Sequence, residues 1–273
     1  CSAPGGWGGA IETDGPLIVM YSTFTRCSAI DGGALDFYDE GAMVIDSTFT
    51  DCTATRDGGA MWYLDGGHAD VFGSSFTRCS AAEDGGAIAG NGALALEAST
   101  FTGCSAGGDG GAIFTEPAGG LTATSSTFTG CSAGDEGGAI DSRSTLTITS
   151  SSLTGNTAAD GGAVSMPGST GTISFSRFYQ NTADHGQAIS VMGDVNADNN
   201  WWGTNDGPAG QIHGWYHATP WLVLGITADP SSITIPQTSY IRTNLTYNSA
   251  GTNTAGGGIF VPDAITNTYA VAS

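Results

Sequence analysis

The sequence predicts an all-β fold, a parallel β-helix (a solenoid of about seven to eight coils of ~25 residues) with an aromatic cap and a β-sandwich tail. Six cysteines recur every 25–27 residues, and each carries the same phrase, such as CSAIDGGALDF from Cys27. A second constant block, such as STFTRC, includes each cysteine after the first. Apolar residues recur in each unit with period two, not with the helical period of 3.6. A fixed period of this length indicates one structural unit that buries its apolar face against the next.

Each unit is predicted to contain three short strands separated by turns. The first follows a pair of glycines, the second carries two apolar residues two positions apart, and the third carries a phenylalanine flanked by Ser or Thr. Alternation places the phenylalanine inside the coil and its hydroxyl neighbours outside. We expect the equivalent side chains to stack along the axis about 4.8 Å apart: Phe24, Phe49, Phe76, Phe101, Phe128, Leu153 and Phe178.

The paired glycines are predicted to form the corner before the first strand. Glycine adopts backbone angles that residues with a Cβ resist. We therefore expect Gly110→Val or Gly138→Val to be far more destabilising than Thr102→Val, because Thr102 points towards solvent.

Composition restricts the function. The 273 residues include no lysine, and the formal net charge of −20 argues against a nucleic-acid partner, whose phosphates require a basic surface. The charge fits an extracellular surface and binding of divalent cations. The longest apolar runs are far below the ~20 residues of a membrane helix. The chain begins partway through a unit at Cys1, so we expect residues upstream, including any secretion signal.

The repeat fades before residue 199, and the composition then changes twice. We predict a β-helix over residues 1–198, a cap and linker over 199–222, and an incomplete immunoglobulin-like β module over 223–273. Trp201 and Trp202 are bulky enough to cover the last coil; alternatively, the paired indoles form a sugar-stacking platform. Asn244 begins a glycosylation sequon, which is consistent with secretion.

The motif DGGAI with a downstream STFTxC resembles the repeats of chlamydial polymorphic outer-membrane proteins. The chain is still more similar to adhesin-like proteins of methanogenic archaea, which combine such repeats with a segment like NNWWGTNDGP (199–208) and immunoglobulin-like modules. The resemblance implies a right-handed parallel β-helix at the cell surface, in adhesion, envelope or matrix structure. Six coils depart from it, because they carry cysteine where the family usually has asparagine, a residue kept here at Asn156 and Asn181.

The cysteines are predicted to form one column along the axis: Cys1, Cys27, Cys52, Cys79, Cys104 and Cys131. A coil spacing of about 4.8 Å lies within the Cα range of a disulfide, although the Cβ atoms must approach to about 3.8 Å. We expect disulfides, either Cys1–Cys27, Cys52–Cys79 and Cys104–Cys131, or a shifted set that leaves both ends free. The alternatives are a ladder of buried free thiols and, less favoured, a metal site.

The acids before the glycines are predicted to form a second column that ends at His185: Asp31, Asp57, Asp84, Asp109, Glu136 and Asp160. Neighbouring charges in it repel by about 1–3 kcal/mol. Turn N–H groups and water relieve this repulsion, or calcium ions bridge the carboxylates. Calcium is therefore the one cofactor that the sequence leaves open.

Catalysis is not expected. A lyase needs a basic residue and an inverting glycosidase needs two carboxylates in different environments, whereas these acids are equivalent from coil to coil. The irregular cluster of Asp65, His68 and Asp70 is interpreted as a surface loop. His213 and His217 are either metal ligands or, as we favour, loop histidines.

We therefore expect a non-enzymatic protein, secreted or at the cell surface, that assembles with copies of itself into a layer, sheath or filament. The open-edged tail module and end-to-end stacking of coils would make the contacts. An adhesin that binds glycans on other cells is the alternative. A polysaccharide lyase or glycosidase, and an ice-binding solenoid with outward threonine pairs, are less favoured.

Overall fold

The computed structural model describes residues 1–38, 41–64, 67–234 and 237–257, which form β-strands and no helix. The strands are β1 (Ile11–Thr13), β2 (Leu17–Met20), β3 (Thr23–Thr25), β4 (Ser28–Ala29), β5 (Leu35–Tyr38), β6 (Ala42–Ile45), β7 (Thr48–Thr50), β8 (Thr53–Ala54), β9 (Met61–Leu64), β10 (His68–Phe72), β11 (Ser75–Thr77), β12 (Ser80–Ala81), β13 (Ile88–Gly90), β14 (Ala93–Glu97), β15 (Thr100–Thr102), β16 (Ser105–Ala106), β17 (Ile113–Thr115), β18 (Leu121–Thr124), β19 (Thr127–Thr129), β20 (Ser132–Ala133), β21 (Ile140–Ser142), β22 (Leu146–Thr149), β23 (Ser152–Thr154), β24 (Val164–Met166), β25 (Thr170–Ser174), β26 (Arg177–Tyr179), β27 (Ile189–Asn196), β28 (Ile212–His217), β29 (Leu222–Asp229) and β30 (Tyr240–Asn248).

Successive coils pair in parallel, which confirms the predicted solenoid. The strands after the glycine pairs and the apolar strands that follow them form a 16-stranded sheet joined through β27. The phenylalanine strands form a 7-stranded sheet, and short strands after the cysteines form a 5-stranded sheet. The three predicted strands of each unit are therefore present. The two-residue strand, such as β12, was not predicted.

The phenylalanine column forms the centre of the core. Ring centroids of Phe49 and Phe76 lie 4.7 Å apart with an interplanar angle of 2°, and those of Phe101 and Phe128 lie 4.8 Å apart. These four side chains have no exposed surface. The stacking expected from the sequence is therefore confirmed, and each buried phenylalanine contributes about 1.5–3 kcal/mol of hydrophobic stabilisation.

The glycine pairs lie at the predicted corners. Gly110 has φ +63°, and a Cβ on it would lie 2.2 Å from the carbonyl oxygen of Ile113. A Cβ on Gly138 would lie 2.1 Å from the carbonyl oxygen of Gly162 in the next coil. Both the backbone angle and the close approach of neighbouring coils therefore require glycine.

A buried serine ladder was not predicted. The serine two positions before each phenylalanine points inward, and its hydroxyl accepts a backbone N–H from the preceding coil, as in Ser74 N to Ser99 Oγ (3.3 Å) and Ser99 N to Ser126 Oγ (3.2 Å). The last such bond runs from Ser176 N to Asn200 Oδ1 (2.9 Å). These bonds satisfy backbone donors that a buried turn would otherwise leave unpaired.

The coil continues beyond residue 198. Trp202 stacks on Phe178 with centroids 4.9 Å apart, so it occupies the phenylalanine position of a further coil. Strand β28 then pairs in parallel with β27. Trp201 and Trp202 are both buried, so neither indole offers a free face as a sugar-stacking platform.

The tail is an antiparallel pair, β29 and β30. Within the described residues these strands pair only with each other, apart from one bridge between Tyr247 and Asn253. Residues 258–273, the end of the predicted immunoglobulin-like module, lie outside the described residues, so that interpretation stays a prediction.

Candidate functional site on the acidic face

The predicted acid column is joined by hydrogen bonds from coil to coil. The Oδ1 atom of each aspartate accepts the backbone N–H of the equivalent acid in the next coil: Asp57 N to Asp31 (3.1 Å), Asp84 N to Asp57 (3.0 Å), Asp109 N to Asp84 (2.8 Å) and Glu136 N to Asp109 (3.0 Å). Turn N–H groups therefore stabilise these carboxylates, which was one of the two arrangements expected from the sequence. Binding of calcium by the column stays a prediction.

Two arginines neutralise part of this face. Arg56 forms an ion pair with Asp31, and its Nε lies 3.4 Å from Asp57 Oδ2. Arg143 Nη2 lies 2.6 Å from Asp109 Oδ2, and its guanidinium covers the ring of Phe114 at 4.8 Å. The arginines therefore cover the surface between the acid column and the neighbouring strands.

Beside the acid column runs a second column, the outward residues of the strands that follow the glycine pairs: Glu12, Asp36, Trp62, Ala89, Phe114, Asp141, Ser165, Ser190 and His213. We call it the strand column. Trp62, Ala89 and Phe114 form a small apolar cluster outside the main core, with Leu64 against it. The cluster is buried although alternation points these residues away from the coil interior.

Asp36 and Asp141 in the strand column are fully buried. Neither oxygen of Asp36 and only one oxygen of Asp141 has a hydrogen-bond partner among the described residues. Burial raises the pKa of Asp36 to about 7 and that of Asp141 to about 8, because desolvation disfavours a carboxylate. These two acids were missed by the sequence analysis, since alternation alone predicts that outward residues are exposed.

The two buried acids do not form a catalytic pair with each other. Four steps of the strand register separate them, from Asp36 through Trp62, Ala89 and Phe114 to Asp141. That distance is about 19 Å, whereas paired glycosidase carboxylates lie about 5–9.5 Å apart. His68 and Asp70 of the irregular cluster lie on β10 and not in the predicted surface loop, with His68 Nε2 and Asp70 Oδ2 3.9 Å apart. Asp65 lies outside the described residues.

Five of the six cysteines are buried in one column and Cys1 is exposed; all are free thiols. The expected disulfides are therefore not seen here, and their pairing stays a prediction. Each thiol takes the place of an asparagine amide. The Sγ of Cys131 lies 3.9 Å from the carbonyl oxygen of Phe101, and Asn156 Nδ2 donates to the equivalent carbonyl of Phe128 at 3.2 Å.

The acid column and the strand column each end in a histidine at the C-terminal end of the solenoid. His185 ends the acid column, and His213 lies on β28 in register with Ser190, not in the loop that was predicted. A cavity of about 50 Å³ lies beside His213, lined also by Glu136, Asp160, Ser165, Met166, Pro167, Ser190 and Met192. His217 is also on β28 and not in a loop, and it lies apart from them, with its Nδ1 3.1 Å from Asp198 Oδ1.

Exposed aromatic side chains lie on the last strand of the solenoid and on the tail. Trp215 on β28 is 79% exposed, and Tyr240 on β30 is 74% exposed. Asn244, the predicted glycosylation site, is exposed on β30, and its Oδ1 accepts the backbone N–H of Thr246.

Comparison with known proteins supports the architecture. A family model described as a right handed beta helix region matches residues 33–206. No curated protein and no solved structure matches the chain. In the described part of the chain, no helix is long and apolar enough to cross a membrane.

Proposed function

The chain belongs to the family of right-handed β-helix proteins, and we propose that it is a non-enzymatic structural protein, secreted or at the cell surface, that assembles with copies of itself into a layer, sheath or fibre. The fold alone does not decide this, because right-handed β-helices occur in enzymes as well as in adhesins and structural proteins. The resemblance to archaeal adhesin-like proteins supports a place at the cell surface. The argument for a structural role comes from how the side chains are used.

The repeated polar residues hold coils together. Serine hydroxyls, asparagine amides and turn carboxylates each accept a backbone N–H from a neighbouring coil, as at Ser99, Asn156 and Asp84. Groups occupied in this way are poor candidates for binding and transforming a substrate. This pattern favours a stiff scaffold over an active site.

The observation that carries self-assembly is the apolar face of the tail. Ile226 pairs with Thr243 across the two strands, and Ala228 pairs with Ile241. Alternation therefore places Ile226 and Ile241 on one face. Both are exposed among the described residues. A two-stranded sheet is marginally stable alone, and the same face of a second copy is a self-complementary partner for it.

Assembly is tested by light scattering against protein concentration and by electron microscopy. We expect the full chain to form ordered polymers and Ile226→Lys/Ile241→Lys to stay monomeric, because two charges cannot be buried unpaired. The matched control is Ile18→Lys/Met43→Lys, which alters two exposed apolar residues in register on β2 and β6. Polymers that persist in the tail variant, or are lost equally in the control, would contradict the proposed interface.

One observation favours the second candidate, an adhesin that binds glycans. The indole of Trp215 is 79% exposed on an edge strand, and exposed aromatic rings offer an apolar face to a sugar. The test is glycan binding by a monomeric chain, with Trp7→Ala as the control because Trp7 is also exposed but lies in the first coil. Binding that is abolished by Trp215→Ala and kept in Trp7→Ala would favour this candidate.

A further inference from the structure

The last coils bring together two histidines that are far apart in the sequence. The rings of His185 and His213 have centroids 5.3 Å apart and an interplanar angle of 40°. Both side chains are exposed. The sequence suggested His213 and His217 as a pair, whereas the fold brings the ring of His213 beside that of His185 instead.

One of the two rings is held in a fixed orientation. His185 Nδ1 lies 2.9 Å from Asp160 Oδ1 in the preceding coil. A carboxylate at Nδ1 sets the tautomer that carries its proton there and leaves the Nε2 lone pair free. Metal-binding histidines are commonly held by a carboxylate in this way.

The separation of the rings fits one shared metal ion. A zinc–imidazole bond is about 2.0–2.1 Å long, which places the ring centroid about 3.2 Å from the metal. Two imidazoles on one tetrahedral ion therefore have centroids about 5 Å apart. The observed separation of 5.3 Å is close to that value.

The surroundings favour a cation. Glu136 and Asp160 line the cavity beside His213, and the whole chain has a formal charge of −20. Glu136 Oε2 is held by the hydroxyl of Ser165 at 2.9 Å. Among the described residues, no group of three or more His, Cys, Asp or Glu is arranged to hold a metal. Two imidazoles would therefore be the protein ligands, and water would complete the coordination.

We propose that His185 and His213 bind one divalent transition-metal ion of the kind that prefers imidazole, such as Zn²⁺, with Asp160 as a positioning residue. His185 belongs to the turn before β27 and His213 to β28. A metal held by both would fasten the last paired strand of the solenoid to the preceding coil. This site shares Asp160 with the acid column, but its ligands would be imidazole nitrogens, whereas calcium prefers oxygen ligands.

Zinc titration of the full chain by isothermal calorimetry tests the site. The experiments use a Cys1→Ser background under reducing conditions, because Cys1 is an exposed thiol and thiolates are zinc ligands. We expect one zinc per chain and a rise in melting temperature with zinc. His185→Gln and His213→Gln should each remove both effects, and Asp160→Asn should weaken binding by about tenfold or more.

His217→Gln is the matched control, because His217 is also exposed and also lies beside an aspartate but has no second histidine facing it in the described residues. Zinc affinity should be unchanged in this variant. No measurable zinc binding, or binding that survives in the His185→Gln/His213→Gln variant, would overturn the proposal. So would an equal loss of affinity in His217→Gln.

Discussion

The substitution Asp141→Asn should remove much of the pH dependence of the protein's free energy of unfolding. Asp141 is fully buried, and one of its oxygens has no hydrogen-bond partner in the described residues. Burial raises the pKa of its carboxyl group to about 8. The folded protein therefore keeps a proton on Asp141 at pH values where the unfolded chain, with an ordinary pKa of about 3.9, has lost it.

The sign follows from proton linkage. Because the folded pKa is the higher one, the contribution of Asp141 to stability is fully present below about pH 3.9 and is lost as pH rises to about 8. Each pKa unit corresponds to about 1.36 kcal/mol, so the whole loss is about 6 kcal/mol and the part between pH 5 and pH 9 is about 4 kcal/mol. Asparagine has nearly the shape of the protonated acid and cannot ionise.

Urea unfolding at pH 5 and pH 9 measures the effect. Relative to the wild type, Asp141→Asn should be within about 1 kcal/mol at pH 5 and more stable by about 3–4 kcal/mol at pH 9. Asp184→Asn, at an exposed acid, is the control and should leave the wild-type pH dependence in place. Equal pH dependence in the wild type and Asp141→Asn would refute the argument that this buried acid is neutral in the folded protein.

Two further predictions concern the coil itself. Gly110→Val should lower the free energy of unfolding by at least about 2 kcal/mol, because valine must adopt a positive φ and its Cβ meets a carbonyl oxygen. Thr102→Val, at an exposed position, should change the free energy of unfolding by no more than about 0.5 kcal/mol. Similar urea midpoints for the two variants would contradict the assignment of Gly110 to a corner. Alkylation without reductant should modify Cys1 alone in the folded protein and all six cysteines after unfolding, as counted by mass spectrometry, and fewer than six in the unfolded chain would reveal disulfides.

The sequence predicts well those features that repeat. The phenylalanine column, the glycine corners and the acid column recur in register, so a single periodicity argument locates them all. Burial of Asp36 and Asp141 was missed because it depends on side chains from neighbouring turns, such as Arg143 above Phe114. The meeting of His185 and His213 was missed for another reason. The motif has faded by residue 199, and only strand pairing shows that β28 continues the solenoid.

Cysteine can replace asparagine in the cysteine column because both side chains can form hydrogen bonds with the backbone at that position. Asn156 Oδ1 accepts the backbone N–H of Cys131, and its amide donates to a carbonyl of the preceding coil. A neutral thiol performs the donor role more weakly, as Cys104 Sγ contacts the carbonyl oxygen of Phe76 at 3.6 Å. The neighbouring thiol of Cys104 and burial raise the pKa of Cys79, so the proton needed for donation stays on the sulfur. Oxidation to a disulfide would remove that donor, so we expect the buried thiols to be reduced, contrary to the disulfides expected from the sequence.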